Sequence, residues 1–275
     1  MSKSSAYPSA APVGVDSTRP SIARVYDAAL NGKDNFEIDR EVLAQMRTVA
    51  PGVAEIAWAN RDYLIRTCRF LAREAGIDQY LDLGSGLPTA ENTHQVVQRI
   101  APEARVVYVD NDPMVLAHAR ALLADRDRTA IVDADIFRPF EVLRHPDIRA
   151  RLDFTRPIAL LQNGTLHHYL GDDAALIMRT YIDALPSGSY VSIAHLYNPE
   201  TPEHGELARN LEEKLCGSLG SGRFRTRAEI EAMFDSLTMI DPGLVLCDDW
   251  WPDGPRLAHR SAVRHCVVGG VGRKP

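Results

Sequence analysis

Short apolar runs alternate with segments of helical periodicity through the middle of the chain, and this alternation restricts the fold more than any other feature. Predicted helices lie between the runs, near residues 91–100, 114–124 and 173–184. The five predicted strands are 79–83, 106–109, 129–132, 158–162 and 190–194. Strands that alternate with helices in this way predict a doubly wound α/β fold, in which a mostly parallel sheet carries helices on both faces.

The chain after residue 200 follows a different pattern. A helix is predicted over 203–216, and the glycine-rich stretch 217–222 that follows it is predicted to be a flexible loop. Thr226 and Glu229 have the spacing of a capping box, which predicts the start of a further helix. Apolar runs at 244–247 and 262–268 predict a terminal antiparallel pair, so that the expected sheet is seven-stranded.

The residues ahead of the first strand divide into a tail and a helical segment. Residues 1–20 are rich in Ser, Ala and Pro and predict a disordered tail, because they bury too little apolar surface to offset the entropy of ordering. Residues 21–78 show helical spacing with breaks at Asn31-Gly32 and Pro51-Gly52, and form a predicted N-terminal extension or lid. The predicted α/β domain then occupies residues 79–275.

A glycine-rich turn follows the first predicted strand, in the stretch QYLDLGSG (79–86). Gly84 and Gly86 let the chain turn sharply and let backbone N–H groups approach a bulky ligand, where a Cβ would obstruct it. Asp82 and Ser85 lie in the same turn. The turn predicts either a nucleotide-like ligand or a connection that binds nothing.

Acidic residues stand at the ends of the next two predicted strands. Asp110, followed by Asn111, ends the second strand, where a carboxylate accepts hydrogen bonds from a ribose diol. A helix cap is the alternative for Asp110, but Asp112 suits that role better because it precedes a proline. Asp135 and Ile136 follow the third strand, at the position expected for an adenine.

The residues after the glycines distinguish a dinucleotide from a nucleoside. A pyrophosphate loop needs a small residue at its sixth position, whereas this chain has Thr89 there, preceded by Pro88. S-adenosylmethionine carries no phosphate, and its positively charged sulfonium and amino-acid tail favour carbonyls and carboxylates such as that of Asp82. We therefore predict a methyltransferase that uses S-adenosyl-L-methionine. An NAD-type Rossmann oxidoreductase and a non-catalytic S-adenosylmethionine-binding protein are the alternatives.

Polar residues after the fourth predicted strand are candidates for the chemistry. Asn163 is predicted to contact the cofactor, and His167 or His168 is predicted to act as a general base, with a helix cap as the alternative. His195, at the end of the fifth strand, is a further candidate. An essential base is not required, because alignment of the nucleophile and exclusion of water supply much of the catalysis.

Polar and aromatic residues also interrupt the N-terminal helical pattern. They predict a lid folded over the cofactor or the acceptor, with a solvated helix pair as the alternative. The residues predicted for this role are Tyr26, Lys33, Asn35 and Phe36.

Five segments together resemble a bacterial S-adenosyl methyltransferase family that was first catalogued as a domain of unknown function. They are RVYDAALNGKDNFEIDR (24–40), ANRDYL (59–64), QYLDLGSGLPTAENTH (79–94), VVYVDNDPMVLAHARALL (106–123) and RTRAEIEAMF (225–234). The resemblance covers nearly everything after residue 20. It implies a class I, Rossmann-like methyltransferase fold that binds S-adenosylmethionine, and it implies no particular acceptor. The chain departs from the family pattern at Asn31-Gly32, where two glycines are usual, and at 162–165, where a more apolar run is usual.

Composition excludes several classes of partner. A net charge of -6 provides no field that attracts phosphate backbones, so no nucleic-acid partner is expected. The four cysteines stand far apart without metal-ligand spacing, which predicts reduced thiols and no metal site. No signal peptide and no apolar run of about 20 residues is present, so no membrane partner is expected. We predict a cytoplasmic enzyme with a small-molecule acceptor, and leave a homodimer open.

Overall fold

The structure is a computed structural model that describes residues 14–88, 91–123, 127–255 and 259–275. Its α-helices are α1 (Ile22–Ala29), α2 (Glu37–Val49), α3 (Ala54–Arg73), α4 (Thr93–Ile100), α5 (Pro113–Leu123), α6 (Pro139–Arg144), α7 (Pro146–Arg151), α8 (Ala174–Ala184), α9 (Pro202–Leu219) and α10 (Arg227–Glu231). Its strands are β1 (Gln79–Leu83), β2 (Arg105–Asp110), β3 (Thr129–Asp133), β4 (Ala159–Asn163), β5 (Tyr190–Leu196), β6 (Thr238–Met239), β7 (Val245–Leu246) and β8 (Val267–Arg273). Short 3₁₀ segments span Leu166–His168, Ala232–Phe234, Cys247–Asp249 and Ala262–Cys266.

The sheet has the order β3-β2-β1-β4-β5-β8-β6, and β7 also pairs with β8. Strands β1 to β5 are parallel to one another, while β8 runs antiparallel to β5, β6 and β7. The predicted doubly wound α/β fold is therefore confirmed, with eight strands in place of seven because the two-residue β6 joins the edge. The strand order reverses between β1 and β4, and open α/β sheets bind ligands in the crevice at such a point.

The terminal antiparallel pair is present, but its second strand begins later than predicted. Residues Ala262–Cys266 form a 3₁₀ segment, and β8 continues to Arg273 through three glycines. Glycine weakens a strand signal in sequence. A Cβ on Gly269 would stand 2.6 Å from the ring of Tyr63, so this strand needs glycine to let the helix approach.

Helix α3 packs directly on one face of the sheet. Tyr63 and Leu71 are fully buried in one core cluster with residues of β1 and β2. The Tyr63 hydroxyl donates to the carbonyl of Gly270, 2.7 Å away. The predicted extension over 21–78 therefore contains a helix that belongs to the sheet core, and α1 and α2 are the part that lies apart from it.

Helices α1, α2 and α9 enclose a separate apolar cluster beside the carboxyl ends of the strands. The turn after α1 uses Asn31 with a φ of 59°, a conformation that asparagine tolerates better than most residues. Gly32 follows because a Cβ there would collide with the carboxylate of Asp27. Asp27 in turn accepts from the Asn35 side chain at 2.7 Å, which fixes the approach to α2.

Residues 14–20, part of the predicted disordered tail, contact the folded chain. Val15 packs against the cluster formed by Leu87, Met114 and Val115. Arg24 donates to the carbonyl of Asp16 at 3.2 Å. These contacts place residues 14–20 beside the glycine turn, and residues 1–13 lie outside the described residues.

One predicted helix ends later in the structure, and two short helices were not predicted. Helix α9 continues to Leu219, so Gly217 is helical, and the helix stops at Gly220 with a φ of 71°. Helices α6 and α7 were not predicted, because six residues each are too few to show helical periodicity and both depend on a proline at the first turn. The capping box of α10 is confirmed, since the Thr226 N–H donates to the Glu229 carboxylate at 2.8 Å.

Candidate functional site

The glycine turn after β1 has the conformation that its residues predict. Gly84 and Gly86 both have positive φ, of 76° and 64°. A Cβ on Gly84 would collide with Thr165, so the turn can pass the loop after β4 only because this residue has no side chain. Ser85 lies between the two glycines on the cavity wall.

Asp110 at the end of β2 connects the glycine turn to the next helix. Its carboxylate accepts from the backbone N–H of Gly86 at 2.9 Å and from that of Asp112 at 2.9 Å. Asp112 is the helix cap, because its carboxylate accepts from the N–H of Met114 at 2.8 Å. Burial raises the pKa of Asp110. Asp110 and Asn111 both line the cavity, so Asp110 faces the ligand space while it holds the turn.

The loop after β3 adds a further acid and an apolar side chain. Asp135 and Ile136 line the cavity beside Ala134 and Phe137. The Asp135 carboxylate accepts from the N–H of Phe137 at 2.9 Å, and the Ile136 carbonyl accepts from the Tyr181 hydroxyl at 2.8 Å. These bonds hold the loop against the body of the domain.

Asp82 and Arg61 are opposite charges that line the same cavity without pairing with each other. Asp82 is buried and accepts from the Thr93 hydroxyl at 2.6 Å, and burial raises its pKa to about 6. Arg61 is also buried, and its Nε has no hydrogen-bond partner among the described residues. A buried carboxylate and a buried guanidinium that remain separate complement a ligand that carries both charges.

The residues after β4 lie where the strand order reverses. Asn163 accepts from the Ser192 hydroxyl at 2.9 Å, while its own Nδ2 is buried without a partner in the described chain. Gly164 has a φ of 78°, and a Cβ on it would stand 2.8 Å from the side-chain nitrogen of Asn60. The polar run 162–165, which departs from the family pattern, forms a hydrogen bond within itself, since the Thr165 hydroxyl donates to the Gln162 side chain.

The three histidines near these loops have different surroundings. His167 and His168 line the cavity, with ring centroids 4.3 Å apart. Burial lowers the pKa of His167 well below its usual range and that of His168 to about 4. The Nδ1 of His168 is 2.9 Å from the Ser221 hydroxyl, while that of His167 is buried without a partner in the described chain.

Both ring nitrogens of His195 are occupied. Its Nδ1 lies 2.6 Å from the Leu196 carbonyl and therefore donates. Its Nε2 accepts from Arg225, whose Nη1 is 3.0 Å away. His195 is thus a neutral structural group in this arrangement and has no free lone pair to act as a base.

Arg225 holds the loop that carries the histidines. It is 2% exposed, and it donates to the carbonyls of Leu166 at 3.1 Å, Tyr169 at 2.7 Å and Gly171 at 2.9 Å. These carbonyls flank His167 and His168, so a residue far along the chain fixes the position of the loop.

Helix α1 closes the site from above the strand ends. Tyr26 lines the cavity, and its hydroxyl donates to the Ala57 carbonyl at 3.1 Å and accepts from the Asn60 side chain at 2.8 Å. The Ser21 hydroxyl at the start of α1 donates to Asp112 at 2.6 Å. The helix is therefore tied to both sides of the ligand space.

The other three residues predicted for a lid do not line the cavity. Asn35 donates to Asp27, and Phe36 packs beneath the Arg24 guanidinium, 5.0 Å from ring centroid to guanidinium carbon. Lys33 lies in the same turn between α1 and α2, away from the cavity wall. This turn supports the lid on the side away from the cavity, while α1 provides the surface that faces the cavity.

The residues described above as lining the cavity surround one space of about 600 Å³. We call the part lined by Asp82, Asp110 and Asp135 the acidic half. The apolar chamber is the continuous part that lies beneath α1, α2 and α9. Its aliphatic and aromatic lining comprises Val25, Ala29, Leu43, Met46, Val53, Ile56, Ala57, Leu196, Leu211, Leu215, Leu219 and Phe224.

Three polar residues of the site were not assigned from the sequence: Asn60, Arg61 and Arg225. Their segments, ANRDYL and RTRAEIEAMF, were recognised only through the resemblance. Neither segment adjoins a strand end, which is the position from which the other site residues were predicted. Only the packing of α3 and the return of the chain after α9 bring them to the cavity.

The described residues show neither a metal site nor a membrane-spanning helix. No group of three or more His, Cys, Asp or Glu side chains is arranged to hold a metal ion there. None of the described helices combines the length and hydropathy that crossing a membrane requires.

Comparison with known proteins gives a consistent result. The sequence model of the family described as S-adenosyl methyltransferase matches residues 8–275. A crystal structure of a protein from Thermobifida fusca YX, assigned as a methyltransferase, has 45% identity and a TM-score of 0.91, and the match covers 98% of this chain and 99% of that one. A DUF574 family protein from Streptomyces avermitilis MA-4680 has 38% identity and a TM-score of 0.88, over 94% and 99% of the two chains.

More distant matches show the fold alone. Human N-acetylserotonin methyltransferase, solved in complex with S-adenosylmethionine, has 14% identity and a TM-score of 0.51, over 93% of this chain and 63% of that one. No curated protein matches the chain.

Proposed function

This chain belongs to the S-adenosyl methyltransferase family, and we propose that it methylates a small-molecule acceptor bound in the apolar chamber. The family assignment establishes a methyltransferase that uses S-adenosyl-L-methionine. The observation that supports a small acceptor is the single cavity, in which the acidic half opens directly into a chamber enclosed by three helices. Its volume of about 600 Å³ falls within the range of about 300 to 1,000 Å³ typical of small-molecule sites.

The buried groups of the acidic half fit the charges of S-adenosylmethionine. Its methionine end is a zwitterion, which suits the unpaired arrangement of Asp82 and Arg61. We assign the ammonium group to Asp82 and the carboxylate to Arg61, with the Asn163 side chain as a further donor. The carboxylate of the cofactor's methionine end would supply the hydrogen-bond partner that the Arg61 Nε lacks.

The adenosine end is assigned to the strand ends. Asp110 lines the cavity and retains free lone pairs beyond the two backbone bonds it accepts, which suits a ribose diol. Ile136, with Asp135 beside it, offers an apolar surface and an acceptor for the adenine. Between these two ends, the turn of Gly84, Ser85 and Gly86 lets the backbone approach the cofactor closely.

S-adenosylmethionine supplies an electrophilic methyl group when it is bound. The acceptor atom gains that carbon, the electron pair of the broken C–S bond stays on sulfur, and a hydroxyl acceptor also loses its proton. The protein contributes alignment and the exclusion of water, for which the enclosed chamber is suited. His167 is assigned as the neutral ring that hydrogen-bonds the acceptor there, with His168 as its neighbour on the wall, and the proton of a hydroxyl acceptor leaves to solvent.

The domain division is proposed in a revised form. The lid consists of residues 14–53, including α1 and α2, while α3 belongs with the sheet because it packs on β1, β4 and β8. Two hydrogen bonds between this lid and the body lie beside the cavity, at Ser21 and at Tyr26.

Calorimetry followed by a turnover assay tests the proposed function. We expect S-adenosylmethionine and S-adenosylhomocysteine to bind, NAD not to bind, and S-adenosylhomocysteine to be released when the protein receives the low-molecular-weight fraction of a metabolite extract. Binding of NAD in preference to S-adenosylmethionine would favour the oxidoreductase. Cofactor binding without turnover on any fraction would favour the non-catalytic alternative.

A further inference from the structure

The charges of the cavity are confined to one of its two parts. The charged residues among its described lining are Arg61, Asp82, Asp110, Asp112 and Asp135. The four acids lie in or just after β1, β2 and β3, and Arg61 lies near them, since its charge acts on Asp82. The apolar chamber therefore has no described side chain of either charge on its wall.

Desolvation determines what such a chamber can hold. Moving a charged group from water into an apolar enclosure without an opposite charge costs several kcal/mol of solvation free energy. This is on the order of the cost of breaking a buried ion pair. The lining of the chamber from α1, α2 and α9, with Phe224 beside them, is aliphatic and aromatic and includes Leu43 and Met46. The chamber thus disfavours anions and cations alike and favours an uncharged apolar molecule.

The histidines do not change this conclusion. Burial lowers the pKa of His167, and the nearby His168, His195 and Arg225 lower it further. Burial alone lowers the pKa of His168 to about 4. Both rings are neutral at pH 7, so neither provides a cation for an anionic acceptor.

Polar atoms without partners are present where the chamber meets the acidic half. Asn60 is 6% exposed and lines the cavity, and its Oδ1 has no hydrogen-bond partner in the described chain. Its amide nitrogen is already used, because it donates to the Tyr26 hydroxyl at 2.8 Å. His167, on the same wall after β4, also has an unpartnered ring nitrogen. A hydroxyl satisfies two such groups at once, because it both donates and accepts.

The position of Asn60 places this polar group at the strand reversal. Its side chain packs on Gly164, where a Cβ would come within 2.8 Å of the amide nitrogen. Gly164 follows Asn163, which is assigned to the cofactor. A hydroxyl held by Asn60 would therefore stand at the boundary between cofactor and acceptor, with the rest of its molecule in the apolar chamber.

We propose that the acceptor is an uncharged, apolar molecule with a hydroxyl group, which donates to the Asn60 side-chain oxygen and contacts His167. This inference rests on the proposed function and adds the chemical class of the acceptor. It makes Asn60 a binding residue that positions the acceptor, a role separate from that of the acids that hold the cofactor.

The test uses three naphthalene probes of similar size and different charge. Protein saturated with S-adenosylhomocysteine is titrated by calorimetry with 1-naphthol, naphthalene-1-sulfonate and 1-naphthylmethylamine. We expect 1-naphthol to bind at least about tenfold more tightly than either charged probe, which corresponds to about 1.4 kcal/mol. Equal or tighter binding of a charged probe overturns the proposal, as does the absence of naphthol binding to protein that binds S-adenosylhomocysteine.

Variants at Asn60 separate its role from a general effect on folding. Asn60→Ala is expected to weaken naphthol binding at least about fivefold, in keeping with the loss of one hydrogen bond. The affinity for S-adenosylhomocysteine should change less than twofold. Asn60→Asp has nearly the same shape and should bring the binding of 1-naphthylmethylamine to or above that of naphthol. The matched control is Asn210→Ala, the same change on an exposed position of α9, which should leave all affinities as they are.

The outcomes distinguish this proposal from the one on which it rests. Naphthol binding that does not respond to either Asn60 variant overturns the acceptor assignment while cofactor binding remains intact. Failure of S-adenosylhomocysteine itself to bind would overturn the proposed function.

Discussion

Asp82 is the residue whose chemistry depends most directly on its surroundings. Burial raises its pKa to about 6, and only the Thr93 hydroxyl and the nearby Arg61 act against this effect. Between its ordinary pKa and about 6 the folded chain holds more protons than the unfolded chain. This group therefore lowers the free energy of unfolding as pH rises through that window. A bound ammonium group acts against the protonation of Asp82, because it stabilises the ionised carboxylate.

Cofactor binding should consequently weaken in acid. Because about a tenth of Asp82 is ionised one pH unit below its pKa, the affinity for S-adenosylhomocysteine should be about tenfold lower at pH 5 than at pH 7.5. Calorimetry at both pH values measures this ratio. In Asp82→Asn the affinity should be lower at pH 7.5 and should vary much less with pH, apart from a residual change due to Asp110. An unchanged ratio in this variant would contradict the assignment of Asp82 to the ammonium group.

Asp110 gives a second prediction at the residue scale. Asp110→Ala removes the proposed acceptor of the ribose diol and the acceptor of the Gly86 N–H. We expect the affinity for S-adenosylhomocysteine to fall by about 1 to 3 kcal/mol and the free energy of unfolding to fall as well. Calorimetry and urea unfolding measure the two effects. The control Asp183→Ala, at an exposed position of α8, should show neither. Full affinity in Asp110→Ala would reduce Asp110 to a residue that only shapes the loop.

The acids could be predicted from sequence because each lies in or just after a strand whose apolar pattern is visible. Asn60 and Arg61 could not, since both lie inside a helix whose apolar spacing predicts packing and gives no sign of what its polar residues face. The sequence likewise did not show what the side chains of Lys33, Asn35 and Phe36 face. Their polar and aromatic character predicted a ligand contact, whereas the structure uses Asn35 and Phe36 to shape the turn between α1 and α2.

At the scale of elements, the loop after β4 depends on a residue that is distant in sequence. Arg225, just before α10, donates to three carbonyls of that loop and to His195. Arg225→Met keeps much of the side-chain volume but leaves these buried acceptors without a donor. Since an unsatisfied buried group costs about 1 to 3 kcal/mol, we expect the free energy of unfolding to fall by at least about 2 kcal/mol.

Hydrogen exchange provides a readout that a general loss of stability would not give. The amides of residues 166–171 should exchange faster in Arg225→Met under native conditions, while those of β1 and β2 keep their order of protection. Arg179→Met, on the exposed face of α8, is the matched control and should change neither measurement. Uniform loss of protection across the sheet would instead show that Arg225 supports the whole fold.

At the scale of the whole molecule, the parallel sheet and its ligand edge follow from periodicity and from the order of the elements. The edge formed by β6, β7 and β8 was only partly predictable. Glycines in β8 hide its strand character, and the need for them appears only when Tyr63 of α3 is placed against Gly269. The enclosure of the apolar chamber could not be predicted from sequence either, because it requires α1, α2 and α9 to meet although α9 lies far from the other two in sequence.

In the proposed function, one cavity brings S-adenosylmethionine next to an apolar acceptor. The measurement that tests it most directly follows a labelled methyl group from S-adenosylmethionine through a complete metabolite extract, which is then separated into macromolecules, water-soluble compounds and compounds soluble in organic solvent. We predict label in the organic-soluble fraction, and a marked loss of that label with Asn60→Ala but not with Asn210→Ala. Label confined to macromolecules or to charged water-soluble compounds would contradict the account.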